Sequence, residues 1–344
     1  LIEHFTGFYT SRPFWAGEPP IDIKALLNIE NQTQLSEIQK QLYDLMSAIT
    51  FSYETNNFRL WICKDGMILV HIKELEKEID KIRDNGDFEA ESRLLGQYLN
   101  YLNCLYLLLD SVLIEFKQFS YFNLSEITNR DVVRLQFEDG EYIFINTPME
   151  SIASIYQKER YLLTYDTITS MYSRQSLSKD VFDLLFAQYS IATANTSLLN
   201  NLAEVAKSLS EYKIGNYSTS LVLAWFVSES AIIRIWNKYL DSSNRDYPDG
   251  IRRISTERKK ILTGRDYMVS VISNILELSG IIPFPTYQNI NAVRGFRNKV
   301  VHGDSNFTCS AEHCQKAIEL ALNLTLEGTG LKVLPNYTHS LPGL

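Results

Sequence analysis

Hydrophobic positions recur at helical spacing over most of the chain. Leu35, Ile38, Leu42, Leu45 and Ile49 follow Thr33, a cap-forming residue, and predict a helix over 34–50. Two β-rich pairs of runs follow, each around an Asp-Gly turn. Residues 58–63 and 67–72 flank Lys64-Asp65-Gly66, and 132–137 and 141–146 flank Glu138-Asp139-Gly140. Both read as β-hairpins. Between them the period returns to helical over about 73–84 and 87–118, broken at Asn85-Gly86. Residues 10–20 hold three prolines and Gly17 and read as a loop.

After Pro148 the strand signal ends. Helical patterns run over about 149–172, 179–212 and 217–240, with a polar break at 173–178. A Ser, Asn, Asp, Pro and Gly-rich loop spans 241–250. Helices are then expected over about 254–263, 265–278, 286–302 and 310–327, with Gly303 placed to end the third. The fold class is therefore mainly α: an α+β domain with two hairpins over 1–175, an all-α helical bundle over 176–330, and a C-terminal tail over 331–344.

Composition narrows the picture. The 344 residues are 45% hydrophobic and 22% charged, a balance that supports packed cores and excludes a largely disordered chain. Lys plus Arg number 33 against 41 Asp plus Glu, a net charge of -8, so nucleic-acid binding would need a local basic patch. Arg252, Arg253, Arg258, Lys259, Lys260 and Arg265 supply such a cluster, which reads equally as a solvated helix face. The most apolar stretch, 94–116, carries Gln97, Asn100, Asn103 and Asp110 and reads as a buried helix, not a membrane span. The first eight residues lack the basic and apolar regions of a signal peptide, and the four cysteines show no scaffold spacing. A cytoplasmic, reduced setting without membrane attachment is expected, with the Asn195 and Asn216 sequons as chance matches.

Candidate chemistry concentrates in 293–303, VRGFRNKVVHG. On a helix, Ile290, Val293, Phe296 and Val300 make one apolar stripe. Arg294, Asn298 and His302, four residues apart, line a second face that Arg297 flanks. Other patterns carry less. Pro248-Asp249 with Glu257-Arg258-Lys259 imitates a metal-dependent nuclease signature, but on a turn and helix where that chemistry needs a β-hairpin. Cys309, His313 and Cys314 lack a second ligand pair, so no metal site is expected.

Arg297-Asn298-x-x-x-His302 resembles the R-x4-6-H motif of HEPN domains, helical bundles found in many prokaryotic toxins and antiviral proteins. The likeness extends to 221–239, an apolar helix with Glu229 inside it, and to the helix order that follows. It covers about 180–328. The resemblance implies a metal-independent endoribonuclease that acts as a toxin or antiphage, abortive-infection effector. In such an enzyme the RNA 2′-OH attacks the neighbouring phosphate and leaves a 2′,3′-cyclic phosphate. It implies RNA as substrate, no cofactor, and a homodimer bringing two motifs together, since acid and base are two roles and each copy has one motif histidine. By that resemblance His302 is acid or base, Arg297 the phosphate clamp and Asn298 an orienting group. Glu229 would hold Arg297 or the dimer interface. Arg294, Lys299 and the basic cluster Arg252, Arg253, Arg258, Lys259 and Lys260 would contact RNA. The first domain would sense a trigger, such as a phage component, or restrain the nuclease. The alternative is a non-catalytic module that binds a nucleotide or a protein partner within a larger defence assembly.

Overall fold

The computed structural model describes residues 3–23, 32–85, 87–118, 124–138, 141–146 and 152–339. Contacts divide the chain into two compact units, Leu1–Ala206 with Leu331–Asn336, and Lys207–Gly330 with Tyr337–Leu344. The first unit begins β1 (Glu3–Phe8), β2 (Trp15–Ala16), α1 (Gln32–Ser47), β3 (Ile49–Glu54), β4 (Phe58–Cys63) and β5 (Ile68–Ile72). It continues with α2 (Lys73–Asn85), α3 (Phe88–Glu115), β6 (Val132–Glu138), β7 (Glu141–Asn146), α4 (Ile152–Lys158), α5 (Tyr165–Tyr172), β8 (Ser176–Leu177) and α6 (Lys179–Thr193). Helix α7 (Thr196–Lys213) begins in the first unit and ends in the second. There it is followed by α8 (Tyr217–Ser243), α9 (Thr256–Leu262), α10 (Val269–Leu278), α11 (Phe284–Val301) and α12 (Ala311–Leu326). The chain is mainly helical, with a small antiparallel sheet near its start.

Both expected hairpins form, β4 with β5 and β6 with β7. The Asp139-Gly140 turn, Gly86 and Pro148 lie outside the described residues. The sheet is larger than two hairpins: its order is β3-β4-β5-β1-β6-β7, and β1 lies between the two pairs, antiparallel to both neighbours. β3 occupies the end of the segment expected to finish a helix at residue 50, because α1 stops at Ser47. A two-residue parallel pairing of β2 with β8 falls in stretches expected to be loop and polar break. The expected helices at 149–172 and 179–212 are each split in two. Asn195 marks the second split, its side chain accepting from Leu198 N–H at 3.1 Å as a cap.

One face of the sheet packs Phe5, Trp61, Met67, Leu69, Val133 and Leu135 together, with Phe5 stacked on Trp61 at 4.2 Å. Tyr98 of α3 is buried and its hydroxyl donates to Val70 O at 2.6 Å and accepts from Ile72 N–H at 3.1 Å. Every residue from Leu102 to Leu113 is buried, so α3 is apolar all round because protein covers it all round. Asn103, costly in lipid, is satisfied here by the backbone of Ile127 and Leu99.

The division between units falls at Ala206/Lys207, later than the boundary expected after 175. The reason is aromatic packing: Phe182 meets Phe14 and Phe51, and Tyr189 meets Phe58, so α6 belongs to the first unit. Nor is 331–336 a loose tail. Leu331 and Val333 are buried, and Leu334 N–H donates to Ser111 Oγ at 2.8 Å.

Gly66 shows why the first turn needs glycine. Its φ is +85°, and a Cβ there would sit 2.5 Å from Phe14 O. Gly66→Ala is expected to cost about 2–4 kcal/mol, combining left-handed strain with displacement of the Phe14 backbone, as read by urea unfolding.

In the second unit α8 and α12 share the most extensive helix contact. Ala224, Ser228 and Ala231 from α8, and Ala317 and Ala321 from α12, are buried and small, which lets the helices approach closely. Helix α8 is, among the described residues, the one long and apolar enough to cross a membrane, with mean hydropathy 1.3. It carries Glu229, Arg234 and Lys238, and its buried positions form the core of this bundle.

Candidate functional site

Helix α11 begins on Pro283 and Pro285, whose fixed φ suits a helix start, and ends at His302, followed by Gly303 at φ +65°. Its apolar stripe is anchored by Ile290 and Val293, both fully buried, while Phe296 and Val300 are half-buried. The polar face therefore turns outward, and half-buried Arg294, Arg297 and Asn298 border a cleft of about 290 Å³.

Across that cleft lie Trp225 and Glu229 of α8, with Met268, Val269 and Ser270 at the start of α10. Met268 caps α10 without a side-chain hydrogen bond to its first turn. Two guanidinium groups and an uncapped helix start thus converge on one space, an arrangement that favours an anion. Arg297 donates through Nη1 to Asn298 Oδ1 at 3.2 Å, which orients the guanidinium. Its Nε is buried and, among the described residues, has no acceptor. Glu229 shares the cleft, but no ion pair within 4.0 Å joins it to Arg297 or Arg294. The expected Glu229–Arg297 pairing is therefore open in this arrangement, and the Arg297 bond goes to its neighbour instead.

His302 is placed differently. It is the C-cap of α11, exposed, and its backbone N–H donates to Asn298 O at 2.9 Å. It lies roughly 6 Å along the axis beyond Asn298 and does not line the cleft. The i→i−4 bond keeps it in register with Asn298, one turn further along, past the residues that border the cleft.

The remaining residues spread out. Lys299 extends its ammonium over Phe307 at 5.2 Å, in a cluster where His313 meets Phe296 at 4.3 Å and Phe307 at 5.1 Å. His313 also completes a capping box with Ser310 at the start of α12. Arg252 faces Asp246 at 3.7 Å, Lys259 pairs with Asp241 at 2.6 Å, and Arg258 donates to Arg253 O at 2.9 Å. Arg253 Nη1 reaches Ser243 O at 3.4 Å, and Lys260 is exposed. Much of the basic cluster thus ties its own loop to α8 and α9. The nuclease look-alike at 248–260 is a turn closed by one bridge, Asp246 to Arg252, then α9. Cys309 and Cys314 approach to 3.8 Å, and burial pushes both thiols up. Cys314 donates to Tyr217 O.

Sequence reasoning did not reach Trp225, Met268, Val269 or Ser270. The uncapped start of α10 was the available signal, since a helix beginning after Met268 has no Ser, Thr, Asp or Asn to cap it. No family model, curated protein or solved structure matches the chain.

Proposed function

We propose that the second unit is a HEPN-type endoribonuclease that cleaves RNA without a metal, and that the protein acts as a toxin or antiphage effector. The observation carrying this reading is the cleft in which Arg294, Arg297 and Asn298 meet the uncapped start of α10. Such a cleft suits an RNA phosphate. Arg297 would clamp non-bridging oxygens through its fork, while Asn298 fixes its orientation. The 2′-OH of the preceding ribose supplies the nucleophile, so the protein must supply proton transfer and charge stabilisation alone.

His302 is the one imidazole on the motif helix. Exposed at the helix end beside the cleft, it is accessible to a phosphate held by a second copy, in keeping with a homodimer that assembles paired acid and base. The test is incubation of purified protein with mixed cellular RNA in EDTA. Cleavage with 2′,3′-cyclic phosphate ends is expected, and His302→Ala should lower it by about 10²–10⁴-fold while staying folded and dimeric.

One observation favours a second reading, a non-catalytic module that binds a nucleotide or a protein partner. His302 lies outside the cleft's lining, and the cleft alone holds cations, a carboxamide and a carboxylate without an imidazole. Intact RNA with both proteins, together with RNA or nucleotide binding that His302→Ala leaves unchanged, would select that reading. The first unit would then remain the sensing or restraining part in either case.

A further inference from the structure

Two of the four cysteines meet where α12 begins. Ser310 is the N-cap, and its hydroxyl accepts from His313 N–H at 3.4 Å. The His313 ring returns the bond, its Nδ1 accepting from Ser310 N–H at 3.1 Å. This reciprocal box fixes the path by which the chain enters the helix. Cys309 is the residue before the cap, and Cys314 is the fourth residue of the helix. Side chains at those two positions face each other across a capping box, where an apolar pair commonly closes the corner. Here the corner brings two sulfurs to 3.8 Å. The contact is thus set by the local backbone and does not depend on distant packing.

The surroundings hold the pair and make its members unequal. Phe307, two residues before Cys309, lies 5.1 Å from the His313 ring and stacks on Phe296 of α11 at 6.1 Å. Cys314 is fully buried, and its thiol donates to Tyr217 O at 2.9 Å at the start of α8. Cys309 is half-buried. A reachable thiol beside a buried one is the arrangement of an attacking and a resolving cysteine. Burial pushes both thiols up, so neither is held as a thiolate. Exchange is therefore slow near neutrality, and the reduced form gains no thiolate stabilisation over a disulfide. A disulfide bond is about 2.05 Å long, so the sulfurs need to approach by less than about 2 Å, a side-chain rotation. The other two cysteines, Cys63 and Cys104, are fully buried in the first unit.

We propose that Cys309 and Cys314 form a reversible intramolecular disulfide, a redox modification site at the junction of α11 and α12. The oxidant is a small disulfide of the glutathione class. Cys309 gives up its proton and attacks one sulfur of glutathione disulfide, whose S–S bond breaks. One glutathione leaves with the electron pair and takes up a proton. Cys314 then loses its proton and attacks Cys309 Sγ, and the second glutathione leaves in the same way. Two cysteine thiols are oxidised, and one glutathione disulfide is reduced to two thiols. In the product, Tyr217 O loses the Cys314 S–H donor.

The experiment holds the full chain in excess glutathione disulfide without denaturant, quenches with acid, and reads intact mass and tryptic peptides. Residues 300–316 contain both cysteines and no internal Lys or Arg, so they form one peptide. That peptide should become lighter by two hydrogens, while Cys63 and Cys104 stay thiols. Dithiothreitol should restore the starting mass. Cys314→Ser should stop at a mixed disulfide between Cys309 and glutathione, and Cys309→Ser should keep all its thiols. Cys309 is half-buried, so Cys309→Ser should keep the wild-type thermal midpoint. Peptide mapping of the wild type decides the matter even if Cys314→Ser fails to fold. Four free thiols after treatment, a mixed disulfide that persists in the wild type, or a cross-link to Cys63 or Cys104 would each overturn the assignment. Because no arm reads RNA cleavage, failure here leaves the ribonuclease reading standing, and the reverse.

Discussion

Arg160→Met is expected to lower the unfolding free energy by about 3–5 kcal/mol. Arg160 is 2% exposed and Asp65 is fully buried, joined through Nε at 2.6 Å and Nη2 at 2.9 Å. Tyr9 donates its hydroxyl to the same carboxylate at 2.6 Å. The intact pair need not add much, since desolvating two charges offsets their attraction. Removing one partner is different, because it leaves a buried carboxylate without its counter-charge. Arg93→Ala, which breaks an exposed pair with Glu89 one helical turn away, should cost only about 0.5 kcal/mol and serves as the comparison.

The same pair gives the prediction a pH signature. Burial works to raise the Asp65 carboxyl, but Arg160, Arg174 and the Tyr9 hydroxyl outweigh it and hold the group below its ordinary value. Its contribution is therefore present above the unfolded value, near 4, and is lost as pH falls through the folded one. Glu159 acts in the opposite sense: burial lifts its carboxyl despite Arg174, so its contribution is lost as pH rises above its unfolded value. The Asp65 share is thus read in denaturant unfolding below about pH 4. Wild type should lose stability there, and Arg160→Met should lose less, because protonation now relieves the uncompensated charge. Equal slopes in the two proteins would show that the pair is not the source.

The second large effect concerns Arg297. Arg297→Ala should reduce RNA cleavage by about 10²–10³-fold, the loss typical of removing a donor aimed at developing charge. Arg297→Lys keeps the charge but loses the fork, and should recover only part of the rate. Full recovery by lysine would point to simple charge attraction, and undiminished cleavage by Arg297→Ala would remove the residue from the mechanism. Thermal midpoints should stay close to wild type in both, because Arg297 is half-buried and its one side-chain bond is to its neighbour Asn298.

Local signals were the legible part of this fold. The Asp-Gly turn at Asp65-Gly66 and Gly303 at the end of α11 each depend on a few adjacent residues, and each sits where the pattern places it. β1 was not legible. Its last four residues, Phe5, Thr6, Gly7 and Phe8, are all buried, so the strand lacks the alternation that marks a half-exposed one. The candidate cleft was half legible. Arg294, Arg297 and Asn298 follow from helical spacing, whereas Met268, Val269 and Ser270 arrive through packing. His302 follows from the same spacing, but it sits one turn beyond Asn298 and outside the lining of the cleft. The buried arginines of the first unit gave no signal, since Arg160 reaches Asp65 across 95 residues and Arg174 reaches it across 109.

The return of Leu331–Asn336 to the first unit bears on how the chain is made. A ribosome releases residues in order, and domains usually close as they emerge. Here the Ser111 hydroxyl waits for Leu334 N–H, 223 residues further along. The first unit is thus begun first and finished last, with the whole of Lys207–Gly330 synthesised in between. Until translation reaches Asn336, the surface that Leu331 and Val333 will cover stays open.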